Sequence, residues 1–230
     1  MLADVGLEID RVTAALDGVY SAAVINDILE REKGKGQRNI VDPVLLRKII
    51  LFLADNIGNI TSATSIGNTL MDEGLLSSSS RKTKPAVQTI QAYIEALTEA
   101  YIFYEIKRFD IKGKDYLRTL GKDYLRTLGK DYLRTLGKYY IADIDLRNYL
   151  LGYRDGDSGH ISENIICFEL LRRGYDVAIG KIDRQEVDFA ATKADEKKYI
   201  QVTESINMPE TRARELAPLR RIRDSYEKIV

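Results

Sequence analysis

Glu163, Asp188 and Gln201 are the side chains whose types and spacing point to chemistry in this chain. Hydrophobic periodicity puts the first on a helix and the other two on the strands that follow, so that two carboxylates and an amide converge at strand ends. Oxygen donors suit a hard cation, to which a neutral Gln offers one carbonyl oxygen and no charge. The other reactive types read as structural. His160, the single histidine, precedes the helix as a surface residue. Cys167, the single cysteine, lies in the apolar part of the helix and reads as core packing. Asp143 ends a strand and reads as a turn cap.

The elements that must position these groups are legible. Ile165, Phe168, Glu169 and Leu171 recur at helical spacing over residues 161–173, and Gly174 is placed to end that helix. Three short strands are then predicted at Tyr175–Ile179, Glu186–Ala191 and Lys198–Val202, separated by polar turns. Asn207-Met-Pro209 opens an Arg-rich helix, and Lys228-Ile-Val230 reads as the opening of a further strand.

Glu163 on a helix, Glu186-Val-Asp188 on one strand and Tyr199-Ile-Gln201-Val-Thr203 on the next resemble the restriction-endonuclease-like fold. The resemblance implies that Asp188 and Gln201 bind Mg²⁺ or Mn²⁺ and that Glu163, Asp188 and Gln201 form the catalytic set. In active members a Lys orients the attacking water. Thr203 stands at that position here, so the expectation is a degenerate, inactive core. Glu204 is adjacent but points to the opposite strand face. Lys197 and Lys198 are the nearest cations that could substitute. Ile49–Gly58, Thr89–Tyr101 and Phe109–Lys114 resemble the C-terminal part of prokaryotic AAA-type ATPases that end in a domain of unknown function. That implies a separate ATPase region, and a truncated or split reading frame.

The whole chain then reads as α/β. Residues 1–41 form a helical connector and 42–113 a winged-helix-like domain. In that domain Asp42-Pro43 caps the first of three helices, and a strand follows at Tyr101–Asp110. Arg81, Lys82, Lys84, Gln88 and Gln91, at the start of the third helix, are candidate nucleic-acid contacts. Residues 114–137 are three identical copies of Lys-Asp-Tyr-Leu-Arg-Thr-Leu-Gly. Perfect identity argues for recent in-frame expansion of a tolerant site, flexible or partly helical. Residues 138–230 form the restriction-endonuclease-like domain, truncated at its C-terminus.

Composition narrows the function classes. Lys plus Arg and Asp plus Glu are 35 each among 230 residues, so no global field drives the chain onto nucleic acid or an anionic membrane. One cysteine excludes a disulfide framework and a cysteine-based zinc site. The spacing Gly-x4-Gly-Lys-Ser/Thr occurs nowhere, which excludes a Walker A ATP site. No apolar run reaches the roughly 18 residues of a membrane span and no basic signal-peptide region opens the chain, so a cytoplasmic protein without membrane partners is expected. The expected function is a nucleic-acid-associated module of an AAA-type ATPase, with DNA or a separate ATPase chain as partner. A protein-interaction scaffold without chemistry and a metal-dependent endonuclease are the alternatives.

Overall fold

A computed structural model describes residues 17–18, 20–34, 40–72, 85–112, 115–116 and 136–230. The chain divides into two compact units, one comprising residues 1–56, 63–103 and 141–153, the other 57–62, 104–140 and 154–230.

The first unit is helical. A π-helical stretch, Tyr20–Asn26, leads into α1 (Asp27–Gly34), followed by α2 (Pro43–Asp55), α3 (Ala63–Asp72), α4 (Val87–Glu99) and α5 (Ile144–Leu151). Helix α2 starts where Asp42-Pro43 predicts: the Asp42 carboxylate accepts from the N–H groups of Val44 and Leu45, and Pro43 has no N–H to satisfy. Leu46, Ile49, Ile50 and Leu53 of α2 are buried with Ile66 of α3 and with Ile90 and Leu97 of α4. Ile25 and Ile28, within the stretch read as a connector, are buried as well. Arg147 of α5 is buried and donates from Nε to the Ala54 carbonyl. Asp143 is the N-cap of α5, as its sequence context suggests.

The second unit is built on a mixed sheet. Its strands are β1 (Ile60–Thr61), β2 (Phe103–Asp110), β3 (Asp115–Tyr116), β4 (Gly137–Ile141), β5 (Asp176–Ile182), β6 (Gln185–Lys193), β7 (Glu196–Ile200) and β8 (Glu227–Ile229). They lie in the order β1-β4-β2-β5-β6-β7-β8, with β3 paired to β2. The strand at Phe103–Asp110, read from sequence as part of a winged helix, is a member of this sheet and runs parallel to β5. Helices α6 (Ser158–Arg172) and α7 (Pro209–Arg221) complete the unit. From α6 onward the order is helix, antiparallel β5-β6-β7 meander, helix, and a last strand parallel to β7.

Two apolar clusters occupy the unit. One joins Cys167 and Leu170 of α6 to Ile179, Phe189, Ala191 and Ile200. The other joins Leu219 of α7 and Ile222 to Ile182, Val187, Ala190 and Tyr199. Val187 and Ala190 cannot share a face in a regular strand, where faces alternate with period two. The register supplies the reason: Ala178 opposes Ala190 but Gly180 opposes Val187, so Asp188 and Phe189 together oppose the single residue Ile179. This β-bulge turns two consecutive side chains out of alternation. Among the described residues no helix is long and apolar enough to cross a membrane.

Candidate functional site

Strand β4 supplies the centre of the candidate site. Lys138 and Tyr140 are two residues apart and therefore project from the same face of the strand, and both reach one carboxylate. Lys138 Nζ lies 2.6 Å from Glu163 Oε1, and the Tyr140 hydroxyl donates to the same oxygen at 2.5 Å. Lys138 Nζ is also 3.7 Å from Asp188 Oδ1. The other Asp188 oxygen accepts from the Val202 N–H at 2.8 Å. All three charged side chains are largely enclosed, at 9, 12 and 15% exposure for Lys138, Glu163 and Asp188.

Glu163 reaches this position because the inward face of α6 is not the one its apolar residues suggest. Glu163, Asn164, Cys167 and Leu170 are buried, whereas Ile165 is 55% exposed. Two partners for Glu163 on β4 offset the cost of enclosing a carboxylate, and charge-assisted hydrogen bonds of this length are the stronger kind. Gly58 passes close by. It has φ +71°, and a Cβ there would lie 3.2 Å from Glu163 Oε2 and 3.3 Å from His160 Nδ1. His160, expected only at the surface, thus shares the Gly58 edge of the site with Glu163.

Two carboxylates face one ammonium, so the cluster is electron-rich. Burial, followed by the Glu163 charge, pushes Asp188 up to about 6, with Lys138 and the Val202 N–H opposing the rise. Burial and Glu163 likewise hold the Tyr140 hydroxyl far above its usual range, so Tyr140 keeps its proton and stays a hydrogen-bond donor to Glu163. Burial first, and Glu163 next, raise the Cys167 thiol, in keeping with its packing role.

The predicted residues fall into three groups. Glu163 and Asp188 are brought together, bridged by Lys138. Gln201, one residue past β7, donates from Nε2 to Glu215 at 3.0 Å, while its Oε1 is buried and has no hydrogen-bond partner among the described residues. Gln88 and Gln91 are exposed on α4, in the other unit, and Arg81, Lys82 and Lys84 lie outside the described residues. Thr203 donates to the Ser205 carbonyl instead of entering the cluster.

Lys197 and Lys198, the expected substitutes for the missing Lys, are elsewhere. Lys197 Nζ sits 4.4 Å from the Phe109 ring centroid and Lys198 Nζ 3.1 Å from a Glu227 oxygen. Both lie toward the start of β7, opposite Thr192 and Ala191, about 13 and 10 Å along the strand from Gln201. Lys138 is the cation that sequence reasoning missed. Its signal was local and weak: a Lys in a Gly-Lys-Tyr-Tyr-Ile strand that is otherwise apolar or aromatic.

Among the described residues no three His, Cys, Asp or Glu side chains form a metal-binding group. The donors that do fit a hard cation are the Asp188 carboxylate and the orphaned Gln201 Oε1, a number of protein ligands normal for Mg²⁺, which keeps several waters.

A family model described as a domain of unknown function, DUF8612, matches residues 10–157, and the chain belongs to that family. The matched span contains Lys138 and stops before Glu163, Asp188 and Gln201. An uncharacterized protein of Haemophilus influenzae is 37% identical over 215 residues, covering 94% of this chain and 46% of that protein. The chain therefore spans less than half the length of this relative. No solved structure matches.

Proposed function

We propose that the chain is a nucleic-acid-associated module with a restriction-endonuclease-like core centred on Glu163, Lys138, Asp188 and Gln201. The observation that carries this reading is the order α6-β5-β6-β7-α7-β8, with Glu163 on the first helix and Asp188 on the middle strand of the meander. The AAA-type ATPase assignment is part of the same proposal and rests on the segments Ile49–Gly58, Thr89–Tyr101 and Phe109–Lys114. The relative's further length leaves room for an ATPase region in that protein. Equilibrium binding of labelled single-stranded, duplex and branched DNA, titrated with salt, tests the nucleic-acid role. Affinity that falls steeply as salt rises supports it, because released counterions drive phosphate contacts. No binding at low salt would leave a protein-interaction scaffold.

One observation favours catalysis over binding alone. Lys138 places an ammonium against Glu163 and Asp188 where the motif position holds Thr203. On this second reading the core is a metal-dependent endonuclease. Asp188 and Gln201 Oε1 would hold Mg²⁺ or Mn²⁺, which supplies Lewis-acid activation of a phosphodiester when bound. Lys138, released from Asp188 Oδ1, would then hold a nucleophilic water or the phosphate, and Tyr140 would fix Glu163. Cleavage that needs both the divalent cation and Lys138 checks this assignment.

A further inference from the structure

We propose that a second site, a cavity at the C-terminal end of α7, binds the phosphate of a nucleotide, either free or at the end of a nucleic-acid strand. It uses none of Glu163, Lys138, Asp188 or Gln201, and stands apart from the function proposed above.

The cavity has a volume of about 620 Å³. Four cationic side chains line it, Lys112, Arg220, Arg221 and Arg223, against two acids, Asp183 and Asp224. The acids are engaged. Asp183 holds Lys112 at 2.6 Å and lies 3.9 Å from Arg221. Asp224 accepts from the Tyr199 hydroxyl at 2.7 Å and lies 3.5 Å from Lys228 Nζ. Arg220 and Arg223 have no hydrogen bond or ion pair among the described residues, and both are exposed. Two residues of the lining thus carry uncompensated guanidinium groups, the side chain best suited to the oxygens of a phosphate.

The remaining lining is apolar: Ile111, Ile182 and Ile222 are at least 93% buried and form a floor. A phosphate needs no such floor, whereas a base or sugar attached to it does. The negative end of the α7 dipole opposes an anion here. That end carries about half a charge, against two whole guanidinium charges, so the balance favours binding.

The cavity borders a different apolar cluster from the candidate site, whose Tyr140 belongs to the first cluster. Asp183 is in the turn between β5 and β6, five residues before Asp188, and the cavity is lined from the α7 side of the sheet by Ile182 and Ile222 of the second apolar cluster.

The test uses the full chain and four probes: AMP, inorganic phosphate as competitor, and one short single strand bearing either a 5′-phosphate or a 5′-hydroxyl. Binding that requires the phosphate is expected, weakened at least about tenfold in Arg220→Gln/Arg223→Gln and unchanged in Glu169→Gln, whose ion pairs with Arg172 and Arg173 lie outside both sites. Binding of AMP identifies a free nucleotide as sufficient; binding of only the phosphorylated strand identifies a strand end. Equal affinity for the two strands, binding unaffected by the double substitution, or no binding of any probe at low salt would overturn the proposal. Because both arginines are exposed, circular dichroism of the variant is expected to match the native protein, separating lost binding from lost folding.

Discussion

Glu163 and Glu169 lie six residues apart on the same helix, each held by cations at under 3 Å, and they teach different lessons. Glu169 is gripped by Arg172 at 2.7 Å and by Arg173 at 2.7 Å, and those hydrogen bonds, Arg172 first, bring its carboxyl down to about 2. These contacts face solvent, and water and salt replace them at little cost. Glu163 has one cation and one hydroxyl, both enclosed, in a cluster shared with a second carboxylate. A low pKa marks the exposed pair, and distance does not separate the two, since Lys138 lies 2.6 Å from Glu163. Burial, shared partners and an upward shift on the neighbouring Asp188 mark the pair with functional potential.

The widest separation between the two regions is expected on removing the cation. Lys138→Met leaves Glu163 and Asp188 enclosed without a counter-charge, a loss of about 3–5 kcal/mol by urea denaturation near neutral pH. A loss below about 1 kcal/mol would show that water already compensates the cluster, and the contrast with Glu169 would collapse.

Asp188→Asn should act in the opposite direction. The folded protein raises the Asp188 pKa from 3.8 to about 6, so it disfavours the ionised form. That penalty is absent below about pH 4, where both states are protonated, grows between pH 4 and 6, and is complete above 6. The amide is therefore expected to stabilise the protein by up to about 3 kcal/mol at pH 7.5, with the gain fading toward pH 4 in melting curves. A gain that does not change with pH would contradict the assignment to this carboxylate.

Gly58→Ala is the next smaller effect. It adds a Cβ 3.2 Å from Glu163 Oε2 at a backbone φ of +71°, and about 1–2 kcal/mol of destabilisation is expected. Glu169→Gln is expected to leave the melting temperature unchanged within error, despite losing two ion pairs. A clear drop on that substitution would give the exposed pair an importance its surroundings do not explain.

Much of the local architecture was legible in the sequence because local patterns set it. The Asp42 cap, the α6 helix followed by three strands, the burial of Cys167 and the final strand near Lys228 each have a signal within a few residues. The site was legible only in part. Asp188 was singled out, but the bulge that pairs Asp188 and Phe189 against Ile179 has no glycine or proline to announce it within β6. Lys138 was missed because it stands 50 positions before Asp188, at the end of a tandem repeat, and joins Asp188 only through the strand order of the sheet. Nearness along the sequence singled out Lys197 and Lys198, but their register sends them to aromatic rings and to Glu227.

The most direct test of the account is cleavage of labelled single-stranded, duplex and branched DNA with Mg²⁺ or Mn²⁺, comparing native protein with Asp188→Ala, Lys138→Arg and Thr203→Lys. A site built around Lys138 predicts cleavage by the native protein, its loss in Asp188→Ala, partial retention in Lys138→Arg, and little gain from Thr203→Lys. Inert native protein that becomes active only with Thr203→Lys would contradict it, showing that Lys138 does not fill the role of the missing lysine.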